Sequence, residues 1–263
     1  MNPETVLITG ASSGIGLELA KCFAADGSNL ILVARSTGAL EKLAAELRKE
    51  FSIQVKVLTA DLAQPETPSR IFDELDRAGQ AVDVLVNNAG FGLQGMFHEL
   101  ALARQMEILS VNQTALTALT GLFLPGIIER NRGGILNVGS IAAFQPGPGM
   151  AIYFASKAYV QSFTEALAAE LSHTKLKISV LCPGPTSTNF GKVARGNKVR
   201  RRKLPGMTAA AVAKYGFEKF RDGRVVIIPG LGNKISATVV RFIPRSPLRK
   251  LVKYLNAQTY QPD

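Results

Sequence analysis

The chain has 263 residues, of which 46% are hydrophobic and 19% charged. It carries a net charge of +11 and two well-separated cysteines, which together exclude a disordered chain and a disulfide scaffold, leaving two free thiols. One domain over 1–263 is expected, with no apolar run approaching the roughly 18–20 uncharged residues that span a bilayer. Residues 1–4 pass directly into an apolar strand and leave no room for a basic leader, so a cytoplasmic location is expected.

In chain order, the first strand is expected at 5–9. It ends in Thr9-Gly10-Ala11-Ser12-Ser13-Gly14-Ile15-Gly16, which opens a helix at 14–26. Glycines there permit a tight turn and a close backbone approach, so that a pyrophosphate can sit on the helix N-terminal amides. The second strand, 29–34, ends at Arg35, where a dinucleotide site that prefers NAD presents a carboxylate to the ribose 2′-hydroxyl. A guanidinium instead forks on a 2′-phosphate, with Ser12 and Ser13 as further donors, so NADP(H) is expected over NAD(H). Then follow a helix at 37–50, a strand at 55–59 ending near Asp61-Leu62, and a helix at 66–78. Asp61 there is equally an N-cap or Asx-turn residue.

A fourth strand, 82–87, leads into Asn88-Ala89-Gly90. A long helix, 101–130, carries Asn112, and a fifth strand, 134–139, precedes Ser140. Tyr153 and Lys157 lie on a helix at 151–172. The sixth strand, 177–182, leads to Pro183, Gly184 and Thr186, and a helix at 209–221 precedes the seventh strand, 224–228. Strands alternating with helices, and apolar nearly throughout, indicate a Rossmann-like doubly wound α/β parallel sheet of order 3-2-1-4-5-6-7 with helices on both faces. The polar, proline-punctuated stretch of about 183–207 follows a strand's C-terminal end and reads as a substrate lid.

Tyr153 and Lys157 are four apart and share a helix face, so an ammonium can approach the phenol. Such a charge is expected to lower the phenol pKa from about 10 toward working pH. Ser140, at a strand's C-terminal edge, can donate to a carbonyl oxygen as charge develops on it. The set suits reversible carbonyl reduction, whereas a Tyr-x-x-x-Lys pair alone reads as a solvated helix face.

The ordered set of Gly10-x-x-x-Gly14-x-Gly16, Asn87-Asn88-Ala89-Gly90, Asn112, Ser140, Tyr153-x-x-x-Lys157 and Pro183-Gly184 resembles the short-chain dehydrogenase/reductase family. The resemblance implies that Tyr153 exchanges the proton and Ser140 orients the substrate oxygen. It implies that Lys157 also bonds the nicotinamide ribose, that Asn112 supports a water relay and that Asp61-Leu62 contact adenine. Cofactor contacts are accordingly expected at Gly10, Ser12, Ser13, Gly14, Ile15, Gly16, Arg35, Asp61, Leu62, Asn88, Ala89, Gly90, Tyr153, Lys157, Pro183, Gly184 and Thr186, with no metal. Homodimers or homotetramers through the long helices are also implied. The rival functions are a non-catalytic dinucleotide-binding regulator, a role that requires none of Ser140, Tyr153 and Lys157, and a peripheral membrane-associated reductase of lipid-like ketones.

The charge is uneven, at −3 through Gly191 and +14 from Lys192 onward. The run 198–203, Lys-Val-Arg-Arg-Arg-Lys, reads as a solvated face or as an attractor of an anionic substrate or membrane. Nucleic acid is not expected, because no nucleic-acid-binding fold accompanies it. A basic amphipathic segment at about 246–258 has Ser246 as N-cap and Leu248, Leu251, Val252 and Leu255 as its apolar stripe. Packing on the body or a second subunit is expected, with an anionic membrane surface as the alternative. Phe91, Leu93, Phe97, Phe144 and Phe190 are candidate lining for a small-molecule carbonyl or alcohol site.

Overall fold

The structure is a computed structural model that describes residues 3–188, 190–195 and 206–257. Seven parallel strands form the main sheet: β1 (Thr5–Thr9), β2 (Asn29–Ala34), β3 (Val55–Thr59), β4 (Val84–Asn87), β5 (Gly134–Val138), β6 (Lys177–Leu181) and β9 (Val226–Ile227). Their order is β3-β2-β1-β4-β5-β6-β9, the order expected from the sequence, with β9 as its seventh strand. β7 (Thr186–Ser187) and β8 (Met207–Thr208) pair separately.

Alternating strand residues supply two cores. Val6 and Ile8 of β1 face one way with Leu19 and Phe23 of α1 (Gly14–Ala25), Leu40 and Leu47 of α2 (Thr37–Phe51), and Val212 and Phe220 of α8 (Ala209–Arg221). Leu7 faces the other way. It joins Ile71 and Leu75 of α3 (Thr67–Arg77) and Leu119, Phe123 and Ile127 of α5 (Leu116–Arg130). The period-2 side-chain direction of a strand explains why a continuous apolar run feeds both layers.

Three expectations need correction. The helix expected at 101–130 is α4 (Leu102–Leu109), a π-helical turn at Ser110–Ala115 and then α5. That same span, Leu102–Arg130, is long and apolar enough by length and composition to cross a membrane, contrary to the reading that no such stretch exists. Here Leu116, Leu119, Phe123 and Ile127 are instead buried against the sheet side of the fold. The stretch after β6 is not wholly irregular, since it holds β7, α7 (Phe190–Arg195) and β8. The basic run 198–203 lies outside the described residues.

Two helices follow β9. α9 (Leu231–Val239) was not expected, and α10 (Arg245–Ala257) begins one residue before Ser246, which is therefore helical rather than the N-cap. α10 buries only Leu248 and Val252 of its expected stripe, while Leu251 and Leu255 are exposed. α6 (Ala151–Glu170) lies against β6 and against a 3₁₀ turn at Ile141–Phe144. This brings its first two turns to the C-terminal edge of β5.

Candidate active site

The glycine loop is built by a clamp between the ends of β1 and β4. The Thr9 hydroxyl accepts from the backbone N–H groups of Asn88 and Ala89, each at 3.0 Å, and donates to the Val86 carbonyl at 3.3 Å. The Asn88 amide donates back to the carbonyls of Thr9 (2.9 Å) and Gly10 (3.2 Å). Gly10 has a φ of +65°, and a Cβ on Gly16 would stand 2.5 Å from the Gly10 carbonyl oxygen. The loop thus requires glycine at both places, one for conformation and one for space. Ser13 is the extended N-cap of α1 yet makes no side-chain capping bond, and it lines the adjoining cavity. Thr9 was read only as a strand end in sequence, but it is the residue that ties the loop to β4.

One cavity of about 1830 Å³ gathers most of the expected residues. Its walls include Gly10, Ser12, Ser13, Gly14, Ile15, Arg35, Asp61, Leu62, Asn88, Ala89, Gly90, Ser140, Tyr153, Lys157, Pro183, Gly184 and Thr186. Gly16 and Asn112 are buried behind it. The volume exceeds the roughly 300–1,000 Å³ of a site for one small molecule, so it has room for two ligands side by side. Arg35 is exposed at the end of β2. Asp61 makes the Asx turn that the sequence left open, accepting from the Ala63 N–H at 3.1 Å, while still facing the cavity. Of the candidate lining residues, Phe91, Phe97 and Phe190 border it. Leu93 and Phe144 do not; Phe144 packs on a core cluster with Arg241 over its ring.

At the far wall, Ser140 follows β5. Its Oγ accepts from the Ala142 N–H at 3.1 Å, which opens the 3₁₀ turn, and its hydroxyl stands beside the Tyr153 phenol. Lys157 Nζ donates to the Val138 carbonyl at 2.7 Å and lies 5.9 Å from the Tyr153 ring centroid. A Cβ on Gly92 would come within 3.0 Å of that ring, so Gly92, missed in sequence, makes space for the tyrosine. Phe190 packs on the ring at 5.1 Å between centroids.

Electrostatics here depart from expectation. Burial pushes the Tyr153 phenol up to about 12, against the opposing pull of the Ser140 hydroxyl, and the neighbouring Cys182 adds to the rise. Lys157 does not reverse this: burial brings its own pKa down to about 8, and its ammonium is spent on the Val138 carbonyl. Desolvation therefore outweighs the helix-face pairing that sequence spacing suggested.

Asn112 lies in the π turn with its side chain fully engaged. Its Oδ1 accepts from the Phe91 N–H at 3.1 Å, and its Nδ2 donates to the Phe91 carbonyl and to Ser156 Oγ, each at 3.0 Å. The side chain thus fastens the π turn to the segment after β4 and to α6. Among the described residues no cluster of His, Cys, Asp or Glu could hold a metal ion.

A doubly wound sheet with a glycine-lined cavity and a Ser-Tyr-Lys set, both at the C-terminal edge of its strands, defines an α/β oxidoreductase. The chain belongs to the short-chain dehydrogenase family, whose sequence pattern matches residues 4–198. It is 34% identical over 222 residues to "Dehydrogenase/reductase SDR family member 7B" of Mus musculus, covering 81% of this chain and 69% of that protein. A short-chain dehydrogenase from Sphingobium yanoikuyae, solved in complex with NADPH, superimposes with a TM-score of 0.81 at 31% identity, over 99% of this chain and 98% of that one. A family member from Burkholderia phymatum, solved in complex with NAD, gives a TM-score of 0.79 at 26% identity over 100% and 98%.

Proposed function

We propose that the whole chain is one catalytic domain, an NADP(H)-dependent reductase of apolar carbonyl compounds that also runs in reverse on alcohols. The observation that carries this reading is the gathering of Ser140, Tyr153 and Lys157 on the wall of a cavity shared with the glycine loop. The residues fit a dinucleotide: Gly10 and Gly16 leave backbone where side chains would intrude, and Ser13 leaves its hydroxyl uncommitted to capping. Arg35 would hold a 2′-phosphate, Asp61 and Leu62 would border the adenine, and Pro183, Gly184 and Thr186 would border the nicotinamide. When bound, the nicotinamide supplies or accepts the hydride.

The chain's own residues handle the oxygen and the proton. Ser140 donates to the substrate oxygen and orients it. Tyr153 passes its phenolic proton to that oxygen as it becomes an alkoxide. In reverse, the phenolate takes the alcohol proton. Because burial holds Tyr153 protonated, the resting protein carries the proton that reduction consumes. Lys157 keeps a positive charge beside the ring up to about pH 8 and would hold the ribose hydroxyls of a bound nucleotide. Asn112 is a positioning residue that fastens the π turn to the segment after β4 and to α6. Phe91, Phe97 and Phe190 give the substrate an apolar surround. Self-association is proposed through α4 and α6, where Leu102, Met106 and Tyr159 are exposed.

The test is NADPH oxidation across a carbonyl panel of small aldehydes, steroids, quinones and acyl-chain ketones. Turnover of one or more apolar members is expected. Tight NADPH binding with no turnover of any class would favour the regulator reading instead.

A further inference from the structure

We propose that α9, α10 and the turn between them form a docking face for an anionic lipid bilayer. The first observation is an apolar stripe with no cover. Leu231, Ile235 and Val239, four residues apart, share one face of α9, and all are exposed. Phe242 follows in the turn and is 82% exposed. α10 adds the exposed Leu251, Tyr254 and Leu255 at i, i+3, i+4 spacing, beside the buried Leu248 and Val252 of the same stripe. Among the described residues, half of the exposed large apolar side chains lie in this short stretch. Isolated surface apolar groups are ordinary, whereas rows of them on two consecutive helices mark an interaction surface.

The second observation is charge. Residues 231–257 contain Lys234, Arg241, Arg245, Arg249, Lys250 and Lys253, all exposed, and no Asp or Glu. A second copy of the chain on this face would bring two such basic sets together about a two-fold axis, which is repulsive. An anionic headgroup layer complements both features at once: it neutralises the basic side chains and accepts the apolar rows at the acyl boundary.

The third observation is position. α9 rests on the 3₁₀ turn that follows Ser140, and the Asn256 side chain donates to the Pro148 carbonyl at 2.8 Å. Lys253, Leu255 and Asn256 line the large cavity, so the docking face borders its rim. On the reductase reading, an apolar carbonyl dissolved in the bilayer then reaches Tyr153 without crossing bulk water. The docking itself does not depend on that reading, because it is measured without substrate.

The experiment is flotation of the full chain with phosphatidylcholine vesicles, either pure or containing one third phosphatidylglycerol. Binding is expected to the anionic vesicles alone and should weaken as salt rises. The double variant Leu231→Asp/Phe242→Asp should lose about tenfold or more in partitioning, the effect expected of losing buried apolar side chains. A second variant, Arg249→Glu/Lys250→Glu, should lose it as well. Both should keep the wild-type melting temperature and NADPH affinity, which reports the fold and cofactor site separately from the docking face. Absence of vesicle binding, equal binding to pure phosphatidylcholine, or binding unaffected by either variant would overturn the proposal. So would light scattering that shows a dimer dissolved by Leu231→Asp/Phe242→Asp in a chain that ignores vesicles, which would assign the face to self-association.

Discussion

At the scale of single residues, the chemistry turns on two buried groups pushed toward their neutral forms. Tyr153 stays protonated through the accessible range because its phenol is raised to about 12, whereas Lys157 loses its proton near pH 8. Reductive turnover should therefore be highest below about pH 8 and fall above it, while alcohol oxidation, which needs phenolate, should rise with pH. Initial rates in both directions against pH test this, and a reductive limb at pH 5–6 would contradict it. Lys157 also bears on stability. Its folded pKa lies below its ordinary 10.5, so burying the charge costs stability fully below about pH 8, and the cost vanishes above about pH 10.5. Lys157→Met should lose most activity yet gain about 2 kcal/mol at pH 7, from roughly 3 of relieved desolvation less about 1 for the orphaned Val138 carbonyl. Melting curves at pH 7 and 10 should show the gain shrinking with pH. Arg35→Ala should weaken NADPH binding by about tenfold to a hundredfold, as loss of a charge-assisted phosphate contact does, and leave NADH binding nearly unchanged. Titration of both nucleotides decides it, and parallel losses would remove Arg35 from the phosphate site.

At the scale of elements, polar ties join the strands at the edge of the sheet opposite the site. Asp83, just before β4, accepts from the Thr5 N–H at 3.0 Å and pairs with Arg130 at 3.3 Å and Arg132 at 2.6 Å. Burial alone would raise its carboxyl, but the Arg132 bond, the Thr5 amide and the two cationic charges together hold it below its ordinary value. Its stabilising contribution is thus present above about pH 4 and lost as pH falls below that. Asp83→Ala should destabilise by about 3 kcal/mol at pH 7, measured by denaturant unfolding, and the penalty should fade in acid. Sequence conveyed these ties poorly. The order of the seven strands followed from apolar runs such as Leu30 to Val33, and the loop followed from its glycines. The roles of Thr9 and Asp83 did not, because a strand-end threonine or an aspartate near a strand's start has many common uses. The π turn at Ser110–Ala115 was also hidden, since a local widening leaves the apolar pattern of a long helix almost unchanged.

At the scale of the whole molecule, the chain separates a mildly acidic nucleotide-binding body from a basic C-terminal quarter, and this division was legible in the charge count. How the quarter is used was not legible. The spacing of Leu248, Leu251, Val252 and Leu255 marks an amphipathic helix, but spacing cannot say which half of the stripe finds a partner; only Leu248 and Val252 do. The pKa directions were hidden for a similar reason, since i, i+4 spacing reports proximity and only the packed fold reports desolvation. Tyr153, Lys157 and Ser140 meet on one cavity wall because each sits close to a strand end or a helix start, and the fold brings those points to one edge.

The central claim is that Tyr153 delivers the proton while the rest of the site binds the nucleotide. The direct measurement is single-turnover NADPH oxidation by Tyr153→Phe, with the NADPH dissociation constant determined on the same sample. The variant should bind NADPH within about threefold of wild type and lose about a hundredfold or more in the rate of the chemical step, the range expected for removal of a general acid. Wild-type turnover by a folded, NADPH-binding Tyr153→Phe would contradict the account.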